Sequence, residues 1–201
     1  MSLLLRLSRL IDTVNGWIGK FATWLVLAAV LISAGNAIMR KAFNIGSNAY
    51  LEIQWYLFAA VFMLAASYVF LHNGHVRIDF IAARLSKRTN TIIDAIGIVV
   101  FLIPLCVILI DLSWPFFMRA YVSGEMSENA GGLIRWPVIL LIPVGFSLLL
   151  LQAVSELIKR IGFLTGAIPQ PFSFGHEKTA DEEYAEEMAA KAAAAAPEAK
   201  P

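Results

Sequence analysis

Long apolar runs without a charged residue dominate this sequence. The first extends from Phe21 to Met39, about 19 residues, which at about 1.5 Å per residue just crosses the hydrocarbon core of a bilayer. Of the 201 residues, 59% are hydrophobic, and the mean hydropathy is +0.70. A soluble domain of this size cannot bury so much apolar surface in its own core. The sequence therefore predicts an all-α membrane protein.

The apolar runs predict a domain of four transmembrane helices. The domain covers residues 17–160, with spans at about residues 17–39, 51–72, 91–114 and 134–158. The third run stays largely apolar to Tyr121, which is longer than one perpendicular crossing requires. Because a proline inside a helix disrupts it, Pro104 and Pro115 are the candidates for a bend or an end, and we expect this span to end near residues 111–114, with residues 115–121 along the outer surface. Pro137 falls in the first turn of the fourth span, where proline is tolerated.

The basic residues indicate how the spans are oriented. One side of the predicted bilayer holds Arg6, Arg9, Lys20, Arg77, Arg84, Lys87, Arg88, Lys159 and Arg160, and the other holds Arg40, Lys41, Arg119 and Arg135. Basic residues accumulate on the cytoplasmic side of membrane proteins. We therefore expect both termini to be cytoplasmic. Of the first group, we expect Arg84, Lys87 and Arg88 to meet anionic lipid headgroups.

The two ends of the chain differ from the spans. Residues 1–16 carry apolar side chains at helical spacing, with Arg6, Arg9 and Asp12 between them. This pattern predicts an amphipathic helix on the inner surface, and a cytoplasmic extension of the first span is the alternative. The tail, residues 161–201, becomes rich in Ala, Glu, Lys and Pro, so we expect it to be largely disordered.

Ionisable residues are predicted to lie near span ends. Glu52, Asp94, Asp111 and Glu156 fall within a turn or two of an end, where water or snorkelling can reach them. The deeper polar residues are of the kind that forms hydrogen bonds between helices, and they are Ser33, Asn36, Ser67, Ser147 and Gln152. With no ionisable residue predicted at the midplane, the chain has the character of a scaffold and not of an ion carrier.

Ala29, Ser33 and Ala37 form a stripe of small residues on the first span. Their spacing of four places them on one helix face, along which another backbone can approach closely. The stripe predicts helix packing but does not say whether the neighbour belongs to this chain or to a partner.

The sequence contains no pattern typical of a catalytic, metal or cofactor site, and its formal net charge of +1 does not favour nucleic-acid binding. His72 and His75 lie at the end of one predicted span, and no histidine on another span faces them, so the chain alone cannot supply paired haem ligands. Two other functions stay open from the residues. They are a membrane anchor for a redox enzyme and a self-contained four-helix structural protein.

Several motifs lie at the ends of the predicted spans. Asn36-Ala-Ile-Met-Arg40 ends the first, Glu52-Ile-Gln-Trp55 opens the second, and His72-Asn-Gly-His75-Val-Arg77-Ile-Asp79 closes it. Further along are Gly124-Glu125-Met-Ser127-Glu128, Trp136-Pro137, Pro143-Val-Gly145-Phe146 and Gln152. Together they resemble the small permease subunit of the TRAP transporters, the tripartite ATP-independent periplasmic carriers, in a DctQ-like family. The resemblance covers roughly Trp17 to Lys159.

The resemblance implies that the chain works in a transport complex of several proteins. Such subunits pair with a large permease subunit that carries the substrate and sodium sites, and a periplasmic binding protein delivers the solute, usually an organic acid. A sodium gradient supplies the energy. The expected role is therefore a non-catalytic scaffold in the bacterial inner membrane that contacts the large subunit and membrane lipids and takes part in symport.

The matching positions become candidate interface or structural residues. They are Ala29, Ser33, Asn36, Ala37, Arg40, Glu52, Trp55, His75, Arg77, Asp79, Glu128, Pro137 and Gln152. Arg77 and Asp79 are candidates for pairing with the large subunit or with lipid phosphates, and for Arg77 a topology signal alone is the alternative. Glu52 lies across a short predicted turn from Arg40, and we expect these two to form a salt bridge near the outer surface.

Overall fold

In a computed structural model of the chain, the structure describes residues 2–74, 85–168 and 188. Within these residues, four helices are long and apolar enough to cross a membrane. They are α1 (Ser2–Phe43), α2 (Asn48–Leu71), α3 (Lys87–Ser123) and α4 (Trp136–Leu164). The prediction of an all-α, multi-pass membrane protein is confirmed. Most of the predicted tail, beyond residue 168, lies outside the described residues.

Helix α1 is much longer than a membrane is thick. Its 42 residues extend for about 63 Å at about 1.5 Å per residue, roughly twice the hydrocarbon thickness. The separate helix predicted for residues 1–16 is not observed, because residues 2–16 continue α1 without a break. The alternative, an extension of the first span, is the one that the structure contains.

The first four turns of α1 bury their polar side and expose their apolar side. Ser8, Asp12 and Asn15 are buried, whereas Leu3 and Leu10 are 77% and 62% exposed. This is the reverse of a helix in a water-soluble protein. The polar side chains of Ser8, Asp12 and Asn15 instead form hydrogen bonds with residues of α4, while the apolar side chains face outward.

Helix α1 packs on the bundle along a seam of small and polar residues. The buried positions are Ser8, Asp12, Asn15, Gly19, Ala22 and Ala29. Their alternating spacing of three and four, with one seven-residue step, keeps a single face toward the neighbouring helices. Gly19 is required, since a Cβ there would overlap the Tyr68 ring of α2. Of the predicted stripe, Ala29 belongs to this seam, whereas Ser33 and Ala37 are exposed.

Helix α3 passes two prolines without ending. A π-helical turn, Ile98–Leu102, precedes Pro104, and the Ile103 N–H donates to the Ile98 carbonyl five residues back. This wider turn accommodates a proline that lacks the N–H of a regular helix. The expectation of an end near residues 111–114 is wrong, because α3 continues through Pro115 to Ser123.

Helix α4 lies against each of the other three described helices. Its Gly145 permits close contact with α2, since a Cβ there would lie 2.8 Å from Met63 Cβ and 2.9 Å from the Met63 carbonyl oxygen. Near its start, Ile139 packs on Phe117 and Ala120 of α3. Pro137 lies in the first turn of α4, as predicted.

Candidate functional site: two polar assemblies in an apolar bundle

Two groups of polar residues lie at opposite ends of the bundle. We name the ends for the predicted orientation. The outer end contains the end of α1, the start of α2 and the α3–α4 loop, and the inner end contains the start of α1 and the end of α4. Polar groups within an apolar bundle are costly unless they are satisfied, so they identify positions where the chain is specifically organised.

At the outer end, Glu52 holds the α3–α4 loop. Its side chain is 2% exposed. The carboxylate accepts hydrogen bonds from the Ser127 hydroxyl, from Asn129 Nδ2 at 2.7 Å and from the Leu133 backbone N–H at 2.7 Å. Hydrogen bonds to a charged acceptor are stronger than those between neutral groups. Glu52 therefore fixes a loop that is distant in sequence. We call Glu52, Ser127, Asn129 and Leu133 the Glu52 clasp.

The salt bridge expected between Glu52 and Arg40 is wrong. The Glu52 carboxylate faces the α3–α4 loop. Arg40 is exposed near the end of α1, and a Cβ added to Gly46 would lie 3.5 Å from the Arg40 Cδ. Proximity in sequence across the α1–α2 turn suggested the pair. A loop with several donors competes better for a buried carboxylate, because it satisfies both oxygens.

The loop has its own internal support. Arg135 pairs with Glu125, and the Arg135 N–H donates to the Glu125 carbonyl at 2.9 Å. Met126 and Ile134 form an antiparallel bridge. Gly124 ends α3 with a φ of 62°, a left-handed conformation that favours glycine. The loop is thus a short, closed hairpin and not an open connection.

A cleft of about 550 Å³ opens beside the Glu52 clasp. It is lined by Glu52, Trp55, Tyr56, Ser127, Glu128, Asn129, Arg135 and Val138. Trp55 is 62% exposed, and Glu128 is also exposed. Tyr56 donates from its hydroxyl to the Ile134 carbonyl at 3.2 Å. The outer end therefore presents a fixed surface with aromatic and acidic groups.

At the inner end, Asp12 of α1 is held by residues of α4. Its Oδ1 accepts hydrogen bonds from Ser155 Oγ at 2.7 Å and from Gln152 Nε2 at 2.9 Å, and its Oδ2 lies 3.2 Å from Lys159 Nζ. Asn15 Nδ2 donates to Gln152 Oε1 at 2.8 Å. Gln152 was predicted to form hydrogen bonds between helices, and this prediction is confirmed.

The same network reaches α3. Lys159 also pairs with Glu156, whose other oxygen lies 2.6 Å from Arg160 Nη1. Arg160 Nη2 lies 3.4 Å from Asp94 Oδ2 of α3. We call the whole assembly the inner network, and its members are Ser8, Asp12, Asn15, Asp94, Gln152, Ser155, Glu156, Lys159 and Arg160. It joins α1, α3 and α4.

The structure corrects the interpretation of several ionisable residues. Glu52 and Glu156 are each 2% exposed and bonded within the protein, so the prediction that water or snorkelling reaches them is wrong. Asp111 is exposed on α3. Lys159 and Arg160 entered the sequence argument as topology signals alone, yet both are buried in ion pairs.

The remaining predicted site residues are distributed over the bundle. Asn36 is half-buried and lines a shallow cleft of about 310 Å³ between the end of α1 and the start of α2. Ser67 and Ser147 donate to the carbonyls of Leu64 and Pro143 in their own helices, so they do not bridge helices through these bonds. His75, Arg77 and Asp79, together with Arg84, lie outside the described residues.

The inner network could have been recognised from two matching polar stripes. Ser8, Asp12 and Asn15 are spaced by four and three, and Gln152, Ser155, Glu156 and Lys159 repeat that helical spacing in the last span. Each stripe alone resembles the polar side of a surface helix. The signal is that the two stripes are complementary, since one carries an acid, Asp12, and the other a base, Lys159. The apolar runs alone do not reveal it.

Both assemblies consist of carboxylates held by hydrogen bonds and ion pairs. Each carboxylate of the inner network lies against a base, and the Glu52 carboxylate is satisfied by loop donors. Such pairing is costly to break, since removal of one partner leaves an uncompensated buried charge. The arrangement is suited to fixing helices relative to one another.

Comparison with known proteins gives a match to one family. Residues 29–162, more than half of the chain, match the family model described as tripartite ATP-independent periplasmic transporters, DctQ component. No curated protein and no solved structure matches the chain. The matched segment contains the Glu52 clasp and the α4 side of the inner network, whereas Ser8, Asp12 and Asn15 precede it.

Proposed function

The chain belongs to the DctQ family of TRAP transporter small permease components, and we propose that it acts as the rigid scaffold subunit of a sodium-coupled importer for an organic acid. In this proposal a large permease subunit carries the solute and the ion. A periplasmic binding protein delivers the solute. The chain lies in the bacterial inner membrane with both termini in the cytoplasm.

The family match is the observation that carries this proposal, and the inner network supports its mechanical part. A subunit that braces a moving partner must not itself deform. Ion pairs and hydrogen bonds that join α1, α3 and α4 resist relative movement of these helices, because displacement would leave charged groups unpaired in an apolar setting.

The outer cleft supports a role in docking the binding protein. The Glu52 clasp fixes the α3–α4 loop, and this loop presents Glu128 beside the exposed Trp55. A preformed surface loses little entropy when a partner binds, and exposed tryptophan is a common anchor in protein interfaces. We propose that the binding protein contacts this surface while it releases its solute to the large subunit.

Exposed positions on α1 support a lateral contact with the large subunit. Ser33 and Ala37 are exposed on the outer half of this helix, although small residues are typical of tight helix packing in membranes. We propose that the large subunit packs against this side of α1. Arg77 and Asp79 remain candidates for a second contact.

Reconstitution into vesicles tests the proposal. Vesicles that contain the large subunit, this chain and external binding protein should accumulate an organic acid when an inward sodium gradient is imposed. Vesicles lacking this chain should not. Two results would contradict the scaffold role, namely full uptake without this chain or uptake by this chain alone.

A further inference from the structure

A cleft opens between α1 and α2 at the inner end, beside Asp12 of the inner network. Its volume is about 350 Å³, within the range of about 300–1,000 Å³ that is typical of small-molecule sites. It is lined by Arg9, Asp12, Thr13, Gly16, Trp17, Lys20, Tyr68, Leu71 and His72. The α1 residues in this set lie on one helix face, because each lies three or four positions from another member of the set.

The cleft results from the way in which two helices approach each other. Gly19 lets α2 come close, because its missing side chain makes room for the Tyr68 ring. Nearly one turn earlier, a Cβ built on Gly16 would meet no atom within 4 Å. His72 is fixed against the wall, with its ring centroid 4.0 Å from that of Tyr68 and its Nδ1 3.0 Å from the Tyr68 carbonyl. The space is therefore built from ordered parts.

The charge of the cleft favours an anion. Asp12 is the acidic residue in the lining, and its carboxylate is already held by Lys159 at 3.2 Å and by hydrogen bonds from α4. Arg9 and Lys20 are exposed at the cleft and carry the remaining formal charges. The two lie on the same helix about 16 Å apart along its axis, and Arg9 Nε donates to the Leu5 carbonyl at 3.4 Å, so Lys20 is the cation at the membrane end of the cleft and Arg9 adds to its positive potential.

The depth of the cleft points to a lipid. Lys20 immediately precedes the uncharged run that begins at Phe21, and His72 immediately follows the last residue of α2. Both positions correspond to the level of lipid headgroups. Trp17 is 74% exposed there, and tryptophan is enriched at this level. Just beyond, Phe21 and Trp24 expose an apolar surface on α1 that acyl chains can follow.

We propose that this cleft binds one anionic phospholipid, with the phosphate at Lys20, in the positive potential that Arg9 reinforces, and the acyl chains along the exposed apolar face of α1. The site does not depend on the transport role. It would anchor the long α1 at a defined depth and fill the space between α1 and α2.

Native mass spectrometry of the full-length chain tests the proposal. The protein is taken from nanodiscs of phosphatidylcholine that contain phosphatidylglycerol, and retained lipid is measured. We expect one phosphatidylglycerol to be retained. The double variant Arg9→Gln with Lys20→Gln should weaken its affinity by about 25-fold, since each basic residue near a membrane surface contributes about 1 kcal/mol and a factor of ten corresponds to about 1.4 kcal/mol.

Two further variants separate a built site from general attraction. Gly16→Leu fills the cleft and keeps every charge, so it should also weaken retention. Lys41→Gln with Arg119→Gln removes the same charge at the outer end and should leave retention unchanged. Unaltered retention in the Arg9 and Lys20 variant would overturn the proposal, and so would equal loss in the outer control. Displacement of the lipid by inorganic phosphate of similar affinity would overturn it in favour of a site for a soluble anion.

Discussion

Replacing Asp12 by asparagine tests whether the inner network stabilises the helix arrangement. Asparagine keeps the shape of the side chain, and its Oδ1 can still accept the hydrogen bonds from Ser155 and Gln152. What it removes is the negative charge 3.2 Å from Lys159 Nζ. The variant therefore isolates the contribution of the ion pair from that of packing.

The expected cost follows from the burial of Lys159. This side chain is 2% exposed, so its ammonium cannot be rehydrated without movement of α1. Removal of one partner from a buried pair costs about 3–5 kcal/mol, and we expect about 3 kcal/mol because Glu156 still contacts Lys159. For a chain of this length, that corresponds to a decrease in Tm of about 6–12 °C.

A double-mutant cycle measured by thermal unfolding in detergent provides the assay. Asp12→Asn, Lys159→Met and the combined variant are compared with the original protein. We expect a coupling free energy of about 1–3 kcal/mol, because the combined variant no longer buries an ammonium without its carboxylate. Costs that add to within about 0.5 kcal/mol would refute the reasoning, since independent sites behave in that way.

Three further predictions concern other parts of the chain. Glu52→Gln should loosen the α3–α4 loop and increase amide hydrogen exchange there about tenfold or more, because hydrogen bonds to a charged acceptor contribute about 1.5–3 kcal/mol to stability. The control variant Glu128→Gln, at an exposed position, should leave the exchange rate unchanged. Gly19→Ala should lower the free energy of unfolding by about 1–3 kcal/mol through overlap with the tyrosine ring on α2. Gly16→Ala, where the space is open, should stabilise the helix by up to about 1 kcal/mol, and equal effects of the two alanines would contradict the packing argument. Ser33→Leu should reduce copurification of the large permease subunit at unchanged Tm, whereas a loss of Tm would assign this position to packing within the chain.

The helices themselves could be predicted from the sequence because membrane insertion depends on local composition. An uncharged run of sufficient length must form a helix in lipid, since every backbone group has to be satisfied within the segment. The apolar runs that follow Lys20 and Arg135 therefore lie in helices, whatever their neighbours are. Pro137 could be placed in the first turn of its helix for an equally local reason.

Helix continuity was harder to predict. Pro115 suggested an end to α3, and the amphipathic start of the chain suggested a helix separate from α1. Both interpretations treated a local signal as decisive. In the structure α3 continues through Pro115 to Ser123 and contains a π turn, Ile98–Leu102, before Pro104, whereas the buried Asp12 ties the first turns of α1 to α4.

The pairing of polar groups required the tertiary structure. Glu52 bonds to a loop more than 70 positions further along, and Asp12 bonds to residues about 140 positions away. A lone carboxylate near a predicted span end resembles a surface residue until the helix that supplies its donors is known. The seam of α1 also depends on its neighbours, since Gly19 is buried because the Tyr68 ring lies against it.

The sequence by itself determined that this chain spans a membrane several times and, through its motifs, to which family it belongs. Those properties depend on residue types in consecutive order. The tertiary structure alone decided that Asp12 and Glu52 face inward to donors on distant segments and that a cationic cleft opens beside Gly16. Those properties depend on which helix faces meet, and a single apolar run carries almost no information about that because lipid and protein neighbours are similarly apolar.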